Sequence, residues 1–359
     1  LFQKKKISLD FSENLYLVLL SIISDVMPLR KINRIIASQV LKDINKIQCF
    51  FFKHIFDIKK IKKPIDIDDF GFLFGPIINS AGRLDDPNIV VELFTNDNLI
   101  VKKNIINRLI FLNEKRKKLE ENILKKIDLK KIKLNKDPVI IYDNDEINEG
   151  LIGIIASKIK TYCDKPSIVI TKSGNQFKGS ARSTKNFSIG QSIKRALDEK
   201  ILETGGGHNL AAGFTIKKKN LSKFKNFLNK TFKKNLIPFK NKFLSKISFN
   251  SLNIDLLTIL NQLQPYGEEN LNPNFLIENI KIIKAKTIKD KFISCFIKNR
   301  SGKLIPAISF SFLESDLSKN ILYNKNEVNM IIQVKENFWN NKKSVQLIII
   351  DIFNTSNKA

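Results

Sequence analysis

Three short stretches of this chain concentrate residue types that bind anions. The first is GPIINSAGR, from Gly75 to Arg83. Its glycines, Gly75 and Gly82, let the backbone approach a ligand, Asn79 offers an amide donor, and Arg83 presents a planar donor fork. Read alone, the same stretch fits a surface loop capped by Asp85 or Asp86. The second is KGSARS, from Lys178 to Ser183, where Ser180 and Arg182 alternate onto one strand face with small residues between them. That spacing suits gripping a phosphate oxygen, although strands without such a role carry it too. The third is GGGHNLAAGF, from Gly205 to Phe214. Gly205, Gly206 and Gly207 can aim successive N–H groups into an anion-binding concavity, with His208 beside them. A tight turn with a structural histidine accounts for it equally well.

The overall charge agrees with a polyanion partner. Lysine and arginine number 62 against 35 acidic residues, a formal net charge of +27. Cations near a phosphate chain gain affinity by releasing counterions. A compositional bias toward Lys, Ile, Asn and Phe explains much of the lysine as well. Arginine is more telling: the chain has eight, and two of them, Arg83 and Arg182, lie in the glycine-rich stretches.

At 359 residues the chain has room for two or three domains. Apolar residues at 43% and charged residues at 27% suit a soluble globular protein. The longest apolar run, Leu15 to Leu29, is interrupted by Asp25 and too short to span a bilayer. No signal-like segment opens the chain, and no membrane association is expected. Cys49, Cys163 and Cys295 lie far apart with no CxxC spacing, which points to a reducing cytoplasm rather than a zinc site or disulfides. The first residue is Leu1, inside an ordinary charged segment, so the chain reads as a piece of a longer protein.

These residues need elements to hold them. Phe11 to Ile44 reads as helical with an interruption at Pro28. Gly71 to Asn88 reads as a loop leading into a short helix, IVVELF. From Asp97 to Lys131 there is no Gly or Pro, and Ile105, Leu109, Leu112, Leu119 and Ile123 would line one face of a long solvent-bridging helix. From Pro138, strands and helices alternate (PVIIYD, GLIGIIASKIKTYC, PSIVIT, QFKGSARS, SIGQSIKRALDE, AAGFTI), predicting an α/β domain closed by a lysine-rich helix over 217–236. From 240 onward, a helix and a Pro/Gly/Asn cluster precede five short strands with one excursion. That pattern predicts a small Greek-key barrel of OB type. Phe292, Phe296, Phe310 and Trp339 in this region are each expected in its core.

In this order, the stretches resemble the RecJ family of the DHH phosphoesterase superfamily. That family shows a Gly-Pro-x-Ile-Asn-x-Ala-Gly-Arg segment, then Gly-Ser-x-Arg-Ser and Gly-Gly-His-x-x-Ala-Ala-Gly motifs in its DHHA1 domain. The chain matches these at Gly75 to Arg83, Gly179 to Ser183 and Gly206 to Gly213. SIISDVMPLRKINR, which holds Asp25, is similar to the family's GTIADVVPL…NR segment. LQPYGEENLNPNF is similar to the LEPFGEGNPEPVF entrance to its OB domain.

The resemblance implies an α/β chain of four parts: the end of a DHH domain over 1–96, a connecting helix over 97–135, a DHHA1 domain over 136–237 and an OB-like barrel over 238–359. It implies metal-dependent hydrolysis of single-stranded DNA from a 5′ end, in repair and recombination. Asp25 would be a carboxylate ligand of one of two Mn²⁺ or Mg²⁺ ions, the hard cations that carboxylate oxygens suit. Asn79, Arg83, Ser180 and Arg182 would bind the DNA terminus and its phosphates, with Gly206, Gly207 and His208 lining the same cleft. The expected partners are single-stranded DNA and a helicase or single-strand-binding protein.

Two departures stand out. The family's Asp-x-Asp and Asp-His-His metal motifs are absent, so this piece is expected to be inactive alone, with most ligands supplied by residues that precede it. His54, the other histidine, is expected to pack on a helix. Ile147, Asn148 and Glu149 stand where the family has Trp-His-Pro. Two other readings compete: a DHH–DHHA1 enzyme acting on oligoribonucleotides or cyclic dinucleotides, and a non-catalytic single-strand-binding module. The barrel region favours a polymer over a short substrate.

Overall fold

The computed structural model describes residues 14–44, 49–232, 243–289, 292–311, 313, 315–339 and 342–354, with the backbone alone at 338, 339, 342 and 354. The chain folds as two compact units, one from residues 1–76 and 239–359, the other from residues 77–238. Among the described residues, no helix is long and apolar enough to cross a membrane. The expected helix start at Phe11 lies outside the described residues.

The first unit opens with helices α1 (Leu15–Ser24), α2 (Lys31–Asp43) and α3 (Phe50–Lys59). α1 closes in a Schellman motif around Asp25. The Val26 N–H donates to Ile23 O at 3.2 Å and the Met27 N–H to Ile22 O at 2.9 Å. The motif puts Val26 in the left-handed region at φ 53°, where glycine is usual and a β-branched residue is strained. Val26→Gly should therefore relieve about 1–2 kcal/mol of left-handed penalty against about 0.5–1 kcal/mol of added chain entropy. Hydrogen exchange at the Asp25 and Met27 amides should slow about two- to fivefold; faster exchange would show that the turn is not strained.

The stretch expected to be a loop from Gly71 is mostly helical. An Asp66 capping box starts α4 (Ile67–Asp69), with the Asp69 N–H donating to Asp66 Oδ1 at 3.1 Å and the Asp66 N–H to Asp69 Oδ2 at 2.9 Å. A single π-turn, Phe70–Phe74, follows and runs directly into α5 (Gly75–Asn79). The cause is burial. Phe70 and Phe74 are fully buried, with ring centroids 5.3 Å and 4.5 Å from that of Phe52 on α3. That apolar gain outweighs the poor helix propensity of Gly and Pro. His54, also on α3, stacks on Phe50 at 5.1 Å.

The second unit holds α6 (Ala81–Leu84), α7 (Asn88–Thr95), α8 (Leu99–Lys126) and α9 (Leu129–Leu134). It continues with β1 (Ile140–Asp143), α10 (Ile152–Cys163), β2 (Ser167–Ser173), β3 (Gln176–Arg182), α11 (Ile189–Asp198), β4 (Thr204–His208), β5 (Ala211–Ile216) and α12 (Leu221–Thr231). Residues 233–236 of the expected lysine-rich helix lie outside the described residues. The sheet order is β1-β2-β3-β5-β4, parallel between β1 and β2 and antiparallel elsewhere. α10 covers one face, packing Ile155 and Ile159 with Ile140 and Val169. α11 and α12 cover the other through Ile193 and Phe224, which pack with Ile168, Ala181 and Phe214.

The expected helix over 97–135 is two helices, because Asp128 caps α9 by accepting the Lys131 N–H at 2.9 Å. The apolar face expected along α8 is formed. Ile105, Leu109 and Leu112 are buried, and Leu119 and Ile123 pack against the α10 cluster.

The rest of the first unit is the expected barrel: β6 (Ser245–Lys246), α13 (Ile254–Gln262), β7 (Asn274–Ile288), β8 (Phe292–Lys298), β9 (Leu304–Ser309), α14 (Asp316–Tyr323), β10 (Val328–Trp339) and β11 (Lys342–Asn354). The order β10-β11-β9-β8-β7-β6 closes through a further β10–β7 pairing. The long β7 pairs with β10 over its first half, Asn274 to Ile280, and with β8 over its second half, Lys281 to Ile288, where a register shift falls between Ile283 and Lys286. The PYGEEN turn grips the segment that follows Asp25. The Leu29 N–H donates to Glu268 O at 2.7 Å, Arg34 Nη2 to Leu263 O at 2.8 Å, and Arg30 pairs with Glu269 at 3.1 Å.

Candidate functional site

Arg83 and Arg182, 99 positions apart in the chain, converge within the second unit. Arg83 follows from α6, whose position Ser80 sets: its buried hydroxyl donates to Ile77 O at 2.6 Å and Leu109 O at 3.1 Å. From there the Arg83 Nη1 group donates to Gly150 O at 3.0 Å. Arg182 ends β3, and its Nη1 group donates to Ser180 Oγ at 3.1 Å and Ala181 O at 2.8 Å. Burial lowers the pKa of both guanidiniums from the ordinary value, and for Arg83 the nearby Arg116 and Arg182 charges lower it further while Glu120 opposes them. Arginine remains cationic at any physiological pH. The site is therefore a half-buried concentration of positive charge.

Two glycines that the sequence reading did not single out make this convergence possible. A Cβ on Gly150 would lie 2.2 Å from Arg83 O, so the two backbones touch. A Cβ on Gly153, in the first turn of α10, would lie 2.9 Å from Arg182 Nη2 and 3.1 Å from Ser180 Oγ. The arginine thus lies over the N-terminal end of a 12-residue helix, where the helix dipole also favours an anion. The residues that replace Trp-His-Pro shape this loop. Ile147 O accepts from the Thr171 hydroxyl at 2.6 Å, Asn148 Oδ1 accepts the Gly150 N–H at 2.8 Å, and Glu149 pairs with Lys178 at 2.9 Å. The signal for both glycines is present in EGLIG, two glycines three apart where a helix starts.

The glycine run is not a concavity at a turn. Thr204–His208 is the edge strand β4, so pairing with β5 occupies part of its backbone hydrogen-bonding capacity. Its glycines serve instead to keep surfaces close or bare. Gly207 lies against β5, where a Cβ would meet Ala211 O at 2.3 Å, while a Cβ on Gly206 would meet nothing within 4 Å. Residues directly opposite in an antiparallel ladder share a face. Arg182, Ala211 and His208 form one such row, and Ser180, Gly213 and Gly206 the next. A trough floored by small residues therefore runs from Arg182 and Ser180 to an exposed His208 at the sheet edge, about 10 Å across two strand spacings.

The other nominated residues fall differently. Asn79 is exposed at the end of α5. Gly75 approaches the protein interior rather than a ligand: a Cβ there would meet Phe70 O and Ser24 Oγ, both at 2.8 Å. Gly82 needs no close approach, the nearest atom to its Cβ being Pro87 Cβ at 3.8 Å. Asp25 is exposed at the end of α1. Among the described residues, no group of three or more His, Cys, Asp or Glu side chains could hold a metal ion. The described residues alone therefore do not make a two-metal centre.

On the barrel, Phe296 and Phe310 are exposed at 38% and 64%, and Phe292 is half-buried with its ring 6.0 Å from Phe310. The core expectation fails for the first two: Phe296 alternates with the buried Cys295 and Ile297 on β8, and Phe310 lies just past the buried Ser309 that ends β9. The Trp339 side chain lies outside the described residues.

Two family models match the chain, the DHHA1 domain over residues 136–234 and the RecJ OB domain over residues 245–351. Similar relatives are the single-stranded-DNA-specific exonucleases RecJ of Bacillus subtilis and of Escherichia coli. The first is 26% identical over 94% of this chain and 44% of its own length, the second 25% identical over 98% and 63%. The chain thus spans roughly half the length of these relatives. Crystal structures of RecJ from Thermus thermophilus, in complex with Mg²⁺ and with Mn²⁺, share the fold with TM-scores of 0.80 and 0.78 at 22% identity. They cover 99% of this chain and 54% and 52% of their own.

Proposed function

We propose that this chain, which carries the DHHA1 and RecJ OB domains of a RecJ-like protein, is the strand-binding part of a single-stranded-DNA-specific 5′→3′ exonuclease of repair and recombination. The convergence of Arg83 and Arg182 on Ser180 and the start of α10 is the observation that carries this reading. A terminal phosphate there would meet two planar donor forks and a hydroxyl in a half-buried setting, where charge-assisted bonds are strongest. The trough toward His208 would take the following nucleotide. The barrel face with Phe292, Phe296 and Phe310 would stack bases of the trailing strand, with Lys281, Lys286 and Lys298 alongside. A chain that carries an OB domain as well as a DHHA1 domain suits a polymer rather than a dinucleotide.

Asp25 would contribute one carboxylate to a pair of Mn²⁺ or Mg²⁺ ions, whose role when bound is to activate water and neutralise the departing oxygen. The other ligands would come from protein outside these 359 residues. The purified chain should accordingly bind 5′-phosphorylated single-stranded DNA in preference to duplex and release no nucleotide with Mn²⁺. Nucleotide release above a contaminant control, abolished by Asp25→Asn, would refute the need for further ligands. Equal binding of duplex and single strand would refute the substrate class.

A further inference from the structure

We propose that the PYGEEN turn, Pro265 to Asn270, is a positioning element for Asp25, so that the barrel sets where that carboxylate stands; this rests on the role given to Asp25 above. Asp25 lies on a short bridge inside the first unit. At one end the Asp25 N–H donates to Ser21 O at 2.9 Å, within the motif that closes α1. At the other end Leu29 is fully buried, and its N–H donates to Glu268 O at 2.7 Å on the barrel turn. Asp25 to Pro28, between these anchors, are exposed. A helix end that runs into an exposed stretch frays, because its last turn has few fixed partners. The anchor at Leu29 removes that freedom from the side away from the helix.

The turn is braced from within. The Gly267 N–H donates to Asn270 O at 3.0 Å and the Asn270 N–H to Gly267 O at 3.2 Å, while Asn270 Nδ2 donates to Pro265 O at 2.7 Å. Gly267 lies against Leu29, where a Cβ would meet Leu29 Cδ2 at 3.0 Å. Two of the eight arginines complete the hold. Arg34 Nη2 donates to Leu263 O at 2.8 Å at the end of α13, and the Tyr266 hydroxyl donates to Leu260 O at 2.6 Å. A helix leaves such carbonyls unpaired, and its dipole favours a cation beside them. Arg30 Nε donates to Glu269 O at 3.2 Å, and Nη1 pairs with Glu269 Oε2 at 3.1 Å. That ion pair is largely exposed and adds little. The hold therefore rests on Leu29 and Arg34. Both arginines belong to the stretch that follows Asp25, so the bridge and the barrel shift together. A displacement of about 1 Å can cost a reaction about 100-fold, which is what bracing the carboxylate from two sides prevents.

The test is amide hydrogen exchange, read residue by residue on the whole chain. Arg34→Gln removes the bond to Leu263 O, and Gly267→Val drives a branched side chain onto Leu29. Each should speed exchange about tenfold at Leu29 and about threefold or more at Asp25 and Met27, with the amides of β10 unchanged. Arg34→Lys keeps a cationic donor and should restore most of the protection. Arg300→Gln, which breaks an exposed pair with Glu327 elsewhere on the barrel, should alter none of these rates. Faster exchange at Leu29 with Asp25 and Met27 unaffected overturns the proposal, and so does no change at any of the three. If Gly267→Val also speeds β10, the barrel has loosened as a whole and Arg34→Gln decides alone. Asp25→Asn keeps the backbone contacts and should leave exchange at Leu29 within about twofold. The hold is thus judged by exchange. The role of the carboxylate is judged by nucleotide release in a protein that includes the further ligands, where Asp25→Asn should abolish it. Either can fail without the other.

Discussion

Gly150→Ala should weaken binding of a 5′-phosphorylated single strand by about 10- to 100-fold, the loss expected when a positioning group shifts by about 1 Å. The added methyl would fall 2.2 Å from Arg83 O and 2.9 Å from Arg83 C and Cα. These are backbone atoms, so no side-chain rotation relieves the clash. The loop around Gly150 cannot easily yield, because Thr171 holds Ile147 O and Asn148 holds the Gly150 N–H. The displacement therefore falls on Arg83, which also loses its 3.0 Å bond to Gly150 O. Gly82→Ala is the natural contrast, since its methyl meets nothing closer than 3.8 Å and favours helix in α6. Fluorescence anisotropy with the two variants decides the matter. Similar affinities for Gly150→Ala and Gly82→Ala would mean that the contact between the two backbones has no part in binding.

Arg182→Ala should cost about 1.5–3 kcal/mol toward a 5′-phosphorylated end, the usual value of a hydrogen bond to a charged group. Toward a 5′-hydroxyl strand the loss should be smaller. Arg182→Lys should fall between, keeping the charge but losing the planar fork. Lys172→Ala, at an exposed position on β2, should lower the affinity for both strands alike and reduce the salt slope by about one. Titrations at several salt concentrations separate these behaviours. If Arg182→Ala and Lys172→Ala lose affinity in parallel for both ends, Arg182 is one more cation on a basic surface and not a reader of the terminus.

Much of this architecture was legible in the residues. The alternation of strand and helix from Pro138, the barrel strands and the excursion at α14 follow from local hydrophobic period, which reports which face each segment buries. The stretches around Arg83, Ser180 and Arg182 also stand out in the residues, because an arginine beside small residues is distinctive in a lysine-rich chain. The loop expected over Gly71 to Asn88 was not. Glycine and proline there signal a break, but the pull of Phe70 and Phe74 into the phenylalanine cluster wins, and that cluster is assembled from distant residues.

What the chain determined by itself is the order of its elements and the residue types in its glycine- and arginine-bearing stretches, since both depend on near neighbours. Tertiary structure alone decided how those types are used. It made Gly206 the floor of a trough and Gly150 a point of backbone contact, and it left Phe296 and Phe310 outside. The reason is that each role depends on what lies across from a residue rather than beside it. Arg83 and Gly150 are 67 positions apart and Arg182 and His208 are joined only through β5. Local sequence sets a conformation, but packing sets the neighbours, and the neighbours decide whether a glycine is a floor or a contact.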